Sequence, residues 1–233
     1  MTIRTLFVGV LALGLAACGA ETDAPAVETD GTVTTAGAFT ELPAVPAGTY
    51  AIDPAHSRAE FRVRHLGIST VTGRFGDVSG TFTVGDDLGT LDATAVIDAT
   101  TIDTGNEQRD GHLQSPDFFD VAQYPEITFQ STEVRPAEDG GFILVGDLTM
   151  HGVTRPVELE AEYIGSSSMG ETQKVGFSAR GEITRQDWGL TWAQTNEAGE
   201  ALVGDEVELI IEVEADRQAE TADAAPADTT AGA

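Results

Sequence analysis

The chain has 233 residues, with 39 acidic against 12 basic side chains, a formal net charge of −27 and a single cysteine. A surface this acidic repels phosphates and excludes nucleic acid as a partner, because that recognition needs basic side chains. One cysteine excludes an intrachain disulfide, so the fold must stand on packing alone.

In chain order, Arg4 precedes a small and apolar run from Leu6 to Ala17, which ends at Cys18. The run is shorter than the roughly 20 residues that span a bilayer, so residues 1–17 read as a secretory signal. Leu15-Ala16-Ala17-Cys18 has the form of a bacterial lipobox, which makes Cys18 the expected acylated lipid anchor. Each methylene buried in the membrane contributes about 0.8 kcal/mol, so two or three acyl chains hold effectively permanently. Gly19 stands where an inner-membrane retention signal carries Asp, so the expected place is the periplasm, tethered at the outer membrane. Residues 18–46 lack Lys and Arg and any sustained apolar period, and residues 216–233 form a similar stretch rich in Ala, Asp and Thr; both read as disordered acidic segments. The folded domain is expected over 47–215.

Within that domain, Ala59, Phe61, Val63 and His65 alternate with Arg58, Glu60, Arg62 and Arg64, the pattern of a strand with one buried face. Alternation recurs in eight segments: Arg58–His65, Thr81–Val84, Leu91–Asp98, Ile127–Ser131, Phe142–Met150, Val157–Tyr163, Val175–Ile183 and Val207–Val213. Gly and Asp clusters such as Gly85-Asp86-Asp87 mark the turns. The expected fold is all-β, an eight-stranded antiparallel barrel whose closure hides the sheet edges. The stretch between Asp98 and Ile127 predicts two short helices over one mouth, the second with Ser115 as N-cap and Pro116 in the first turn.

The inward residues are apolar throughout. Phe61, Val63, Phe82, Ile97, Phe129, Leu144, Leu148, Leu159 and Phe177 are aliphatic or aromatic, and Ala95, Gly146 and Gly181 are small enough to leave room. Such a lining suits a dry core and a slender apolar ligand equally well.

The motifs Asp53-Pro54-Ala55-His56-Ser57 with His65, residues 104–129, Leu148–Val157 and Val203–Ala215 resemble, in order, those of the YceI family of periplasmic lipid-binding proteins. The resemblance implies a lipocalin-like barrel that binds a long isoprenoid or other lipid and needs no cofactor. Phe61, Val63, His65, Phe82, Ala95, Ile97, Phe129, Leu144, Leu148, Leu159 and Phe177 would then line the lumen. Arg109, Asp110, His112 and Trp188 would meet the head group at the mouth. Expected partners are that lipid, the membrane through the acyl chains and, with the oligomeric state open, a second copy in a homodimer. Two alternatives stand beside this reading: a metal-dependent or hydrolytic stress enzyme using His65, Asp110 and His112, and a filled barrel without ligand. No His-x-His or Cys-x-x-Cys spacing and no G-x-S-x-G elbow supports catalysis.

Overall fold

The computed structural model describes residues 41–138 and 140–219; the expected signal segment, Cys18, nearly all of the stalk and most of the tail lie outside them. Eleven strands are described: β1 (Gly48–Ile52), β2 (Arg58–His65), β3 (Ser69–Phe75), β4 (Val78–Val84), β5 (Asp92–Asp98), β6 (Ile102–Asp103), β7 (Glu126–Pro136), β8 (Phe142–Met150), β9 (Val153–Met169), β10 (Thr172–Thr184) and β11 (Val203–Arg217). Side-chain alternation sets them. On β9, Val157, Leu159 and Ala161 are buried while Glu158, Glu160 and Glu162 are exposed.

The sheet runs β1-β4-β5-β7-β8-β9-β10-β11, and pairing of β11 with β1 closes it into a ring of eight antiparallel strands. Closure leaves no free edge in the ring itself, while β2, β3 and β6 continue the sheet from β11. β11 achieves this by length: Val207 to Glu212 pair with β2, while Ala215, Asp216 and Arg217 pair with Ile52, Ala51 and Tyr50 of β1. The strand therefore continues two residues into the stretch expected to be tail. β1–β2 and β3–β4 form one long hairpin, broken at 53–57 and 76–77, so that β1 pairs with β4 and β2 with β3.

The expected lid contains one helix. α1 (Glu107–Leu113) is capped by Asn106, whose side-chain oxygen accepts from the Arg109 N–H at 3.0 Å. The second expected helix is a compact turn: Ser115 Oγ does accept from the Asp117 N–H, but the Phe118 N–H already returns to Ser115 O and the Phe119 N–H to Leu113 O. The chain thus folds Phe118 and Phe119 straight down into the barrel, where both are buried. Among the described residues no helix is long and apolar enough to cross a membrane.

The core has two parts. At the lid end Phe75, Val78, Phe118, Phe119, Leu148 and Trp188 pack together. At the other end Tyr50, Phe82, Val84, Leu88 and Phe142 form a floor. The Phe177 ring meets Phe82 edge-on at 5.6 Å and Phe142 at 6.2 Å, while Tyr50 stacks on Phe82 at 5.1 Å. Burial raises the Tyr50 phenol above its usual range, and its hydroxyl donates to Pro46 O at 2.8 Å.

Candidate functional site

Between floor and lid lies an apolar cavity of ≈ 250 Å³. Phe61, Val63, Phe82, Ala95, Ile97, Phe129, Leu144, Leu148, Leu159 and Phe177 all line it, as their place on the dry faces of their strands requires. Leu113, Phe118 and Phe119 cover the lid end, and Arg185 and Leu190 join them there. The alternation of a strand cannot assign these last two, because they sit on the 3-10 turn Arg185–Trp188 and just after it, where the period of two has ended.

His65 is a correction. It shares the dry face of β2 but does not line the cavity. β6 pairs with β3 only at Arg74 and Phe75, so at the level of His65, opposite Ser69 and Val203, the outer edge of β3 has no strand neighbour and the barrel wall has ended. Gly146 and Gly181 are a second correction. A β-carbon on Gly146 would collide with the Phe129 ring, and one on Gly181 would lie 2.7 Å from Leu159 Cδ2. These glycines make room for neighbouring side chains rather than for a ligand. Gly73 does the same for the ring of Phe61.

The expected head-group residues turn away from the cavity. Arg109 donates from Nε to Thr104 Oγ1 at 2.7 Å and from Nη2 to Thr104 O at 2.8 Å. Asp110 accepts from the Thr104 N–H at 2.9 Å. Both therefore fasten α1 to the end of β6. His112 Nε2 lies 2.9 Å from Asp117 Oδ2, and its ring meets Phe118 and Trp192 edge-on. Trp188 is 3 % exposed and donates from Nε1 to Leu148 O at 3.0 Å, which locks the turn after β10 onto β8. The lid thus engages Arg109, Asp110 and His112, and Trp188 is engaged by β8.

His65, Asp110 and His112 are not brought together as metal ligands would be. Among the described residues the one group with such spacing is Asp53, His56 and Glu214, built by the first motif. His56 Nδ1 lies 2.8 Å from Asp53 Oδ2, and because a carboxylate only accepts, the ring donates. This hydrogen bond, helped by the Ala55 N–H and Lys174, holds the Asp53 carboxyl down at about 2 and raises His56 above its ordinary range. Lys174 Nζ reaches Glu214 at 2.8 Å, Asp216 at 2.5 Å and Asp53 at 3.4 Å, and these carboxylates raise its pKa. The ammonium already supplies the cation that the carboxylates attract. Ser57 Oγ donates to Glu214 O and accepts from the Glu214 N–H, each at 3.1 Å. The motif is thus a clamp holding the break between β1 and β2 against β11.

Fold and lumen together define a class: a lipocalin-like antiparallel barrel with an apolar interior. Residues 50–215 match the family described as YceI-like domain. The chain belongs to the YceI family. It is 40% identical over 177 residues to Protein YceI of Escherichia coli, covering 74% of this chain and 88% of that one. It is 39% identical over 172 residues to a UPF0312 protein of Yersinia pestis, covering 72% and 86%. Among solved structures, the Campylobacter jejuni YCEI protein superposes with TM-score 0.57 at 31% identity, over 67% of this chain and 90% of that one. Burkholderia cenocepacia BcnA does so with TM-score 0.59 at 22% identity, over 70% and 98%. A polyisoprenoid binding domain from Saccharophagus degradans gives TM-score 0.54 at 18% identity, over 74% and 100%.

Proposed function

We propose that this protein binds an amphiphile with a long apolar tail in the barrel lumen, an isoprenoid quinone, a polyprenyl compound or another lipid, and carries or stores it in the periplasm. The observation that carries the reading is the cavity of ≈ 250 Å³ enclosed by aliphatic and aromatic side chains between an aromatic floor and a lid. Burial of the tail supplies the affinity, at about 25 cal/mol per Å² of apolar surface removed from water. The shared fold of a Saccharophagus degradans domain described as polyisoprenoid binding supports the same ligand class. The protein acts by binding, without turnover. The Leu15-Ala16-Ala17-Cys18 sequence supports attachment to the outer membrane through an acylated Cys18. Labelling cells with an alkynyl fatty acid tests this, since the tag should enter the protein and be lost in Cys18→Ser; an unlabelled protein contradicts the anchor.

Native purification of the full chain, organic extraction and mass spectrometry test the ligand directly. A stoichiometric prenyl or acyl compound is expected, and a folded protein that yields none overturns the carrier reading. Ala95→Phe fills the lumen from the wall formed by β5 and should remove the bound lipid at a stability cost of about 1–3 kcal/mol. A folded variant that still extracts with lipid would place the ligand elsewhere.

A further inference from the structure

Among the described residues one cation is buried against this apolar lumen. Arg185 is 5 % exposed and lines the cavity at the lid end, where β10 delivers it and Trp188 fixes the turn behind it. A guanidinium carries five N–H donors and cannot shed its proton, so burial obliges the surroundings to supply acceptors. Nε donates to Gly204 O at 2.9 Å, Nη1 to Leu190 O at 2.5 Å and Nη2 to Asp205 Oδ1 at 2.8 Å. One N–H on each terminal nitrogen is left without an acceptor among the described residues, in a side chain only 6% exposed. A buried donor in that state gains from any acceptor that arrives.

The other polar residues at the lumen wall belong to the outer face. Glu60 is engaged there by Arg58 Nε at 3.5 Å, Thr94 by Thr81 O, and Ser178 stands in register with Glu162 and Glu212. Among the described residues of the lining, Arg185 is the polar one left with unspent donors beside the lumen. We infer that Arg185 reads the head group: its two unspent N–H bonds hold an acceptor oxygen of the bound amphiphile, a carbonyl, hydroxyl or phosphate. The tail then runs from the lid toward the floor at Phe82 and Phe177. The assignment rests on the lumen being the lipid site.

The test uses the delipidated full chain and three probes of one chain length: geranylgeraniol, geranylgeranyl phosphate and the corresponding C20 hydrocarbon. Wild type should bind the two head-bearing probes about tenfold more tightly than the hydrocarbon, as charge-assisted hydrogen bonds in an apolar site allow. Arg185→Met should bring all three within about threefold of one another and leave hydrocarbon affinity unchanged. Asp205 is half exposed, so Asp205→Asn keeps the fold; removing its charge should tighten the phosphate probe about threefold or more without moving the hydrocarbon. A retained preference in Arg185→Met overturns the assignment. Where that variant does not fold, unchanged phosphate affinity in Asp205→Asn overturns it instead. Wild type that binds all three probes equally leaves the carrier reading standing and removes Arg185 from it, whereas wild type that binds none overturns the carrier reading itself.

Discussion

Single residues decide how the first motif is used. Asp53, His56, Ser57, Lys174 and Glu214 are polar and close, and their contacts are structural: Asp53 and His56 close the break between β1 and β2, Ser57 ties it to β11, and Lys174 joins Asp53 and Glu214 from β10. A depressed Asp53 pKa contributes stability that is present above its unfolded value of 3.8 and is lost as pH falls through about 2. A raised His56 pKa contributes stability that is complete below 6.5 and is lost as pH rises through the folded value. Both contributions are complete only between 3.8 and 6.5, so the melting temperature should peak in that window. Calorimetry across pH checks this, and His56→Gln should flatten the alkaline side; an unchanged profile would remove His56 from the clamp's energetics. Two glycines give a contrasting pair. Gly146→Ala drives a β-carbon into the Phe129 ring and should cost about 1–3 kcal/mol, while Gly111→Ala, in α1 with nothing within 4 Å, should stabilise by about 0.5–1 kcal/mol. Denaturant unfolding of the two variants should move in opposite directions. Pattern reading took Gly146 and Gly181 as room for a ligand because it sees a side chain's size and not what the neighbouring strand places over it.

At the scale of elements, the strands with long alternating faces were legible, and those without them were not. Alternation does not reveal β3, because its inward positions are Val71, Gly73 and Phe75, and the gap at Gly73 is occupied by the ring of Phe61 from β2. The wall is continuous in space although the pattern is interrupted in sequence. β1 is five residues long and β6 two, too short to carry a period. The tip of β8–β9 is a two-residue turn: His151 and Gly152 both have positive φ, at 51° and 74°, as such a turn between antiparallel strands requires. Only the fold shows that this tip packs under Tyr124 and that His151 Nδ1 donates to Trp188 O at 3.3 Å. The lid makes the next prediction. Asn106→Ala removes the one side-chain cap of α1 and should cost about 1 kcal/mol locally. Hydrogen exchange should then accelerate over 107–113 while β9 and β10 keep their protection; acceleration throughout the barrel would mean that the lid and the barrel open together.

For the whole molecule, charge and burial pull against each other. The chain carries a formal net charge of −27, and acids such as Glu158, Glu160 and Glu162 stand on the wet face of the barrel, so self-repulsion opposes compactness. Raising ionic strength from about 0.01 to about 0.15 M shortens the screening length from about 30 to about 8 Å and should raise the melting temperature. A fall would mean that ion pairs such as Lys174 with its three carboxylates outweigh the net charge. By itself the sequence determined the faces of eight strands and the inward place of ten residues, because alternation is a local property that each strand carries in its own residues, while the reading of those residues as a lipid lumen rested on the family resemblance. It could not decide that His65 lies past the end of the wall, that Arg109, Asp110 and His112 are spent on the lid, or that Arg185 keeps two donors beside the lumen. Those are outcomes of closure. Which polar group meets which depends on where β11 and the lid bring residues far apart in the chain, and a side chain's free valences can be counted only after every neighbour has taken its share.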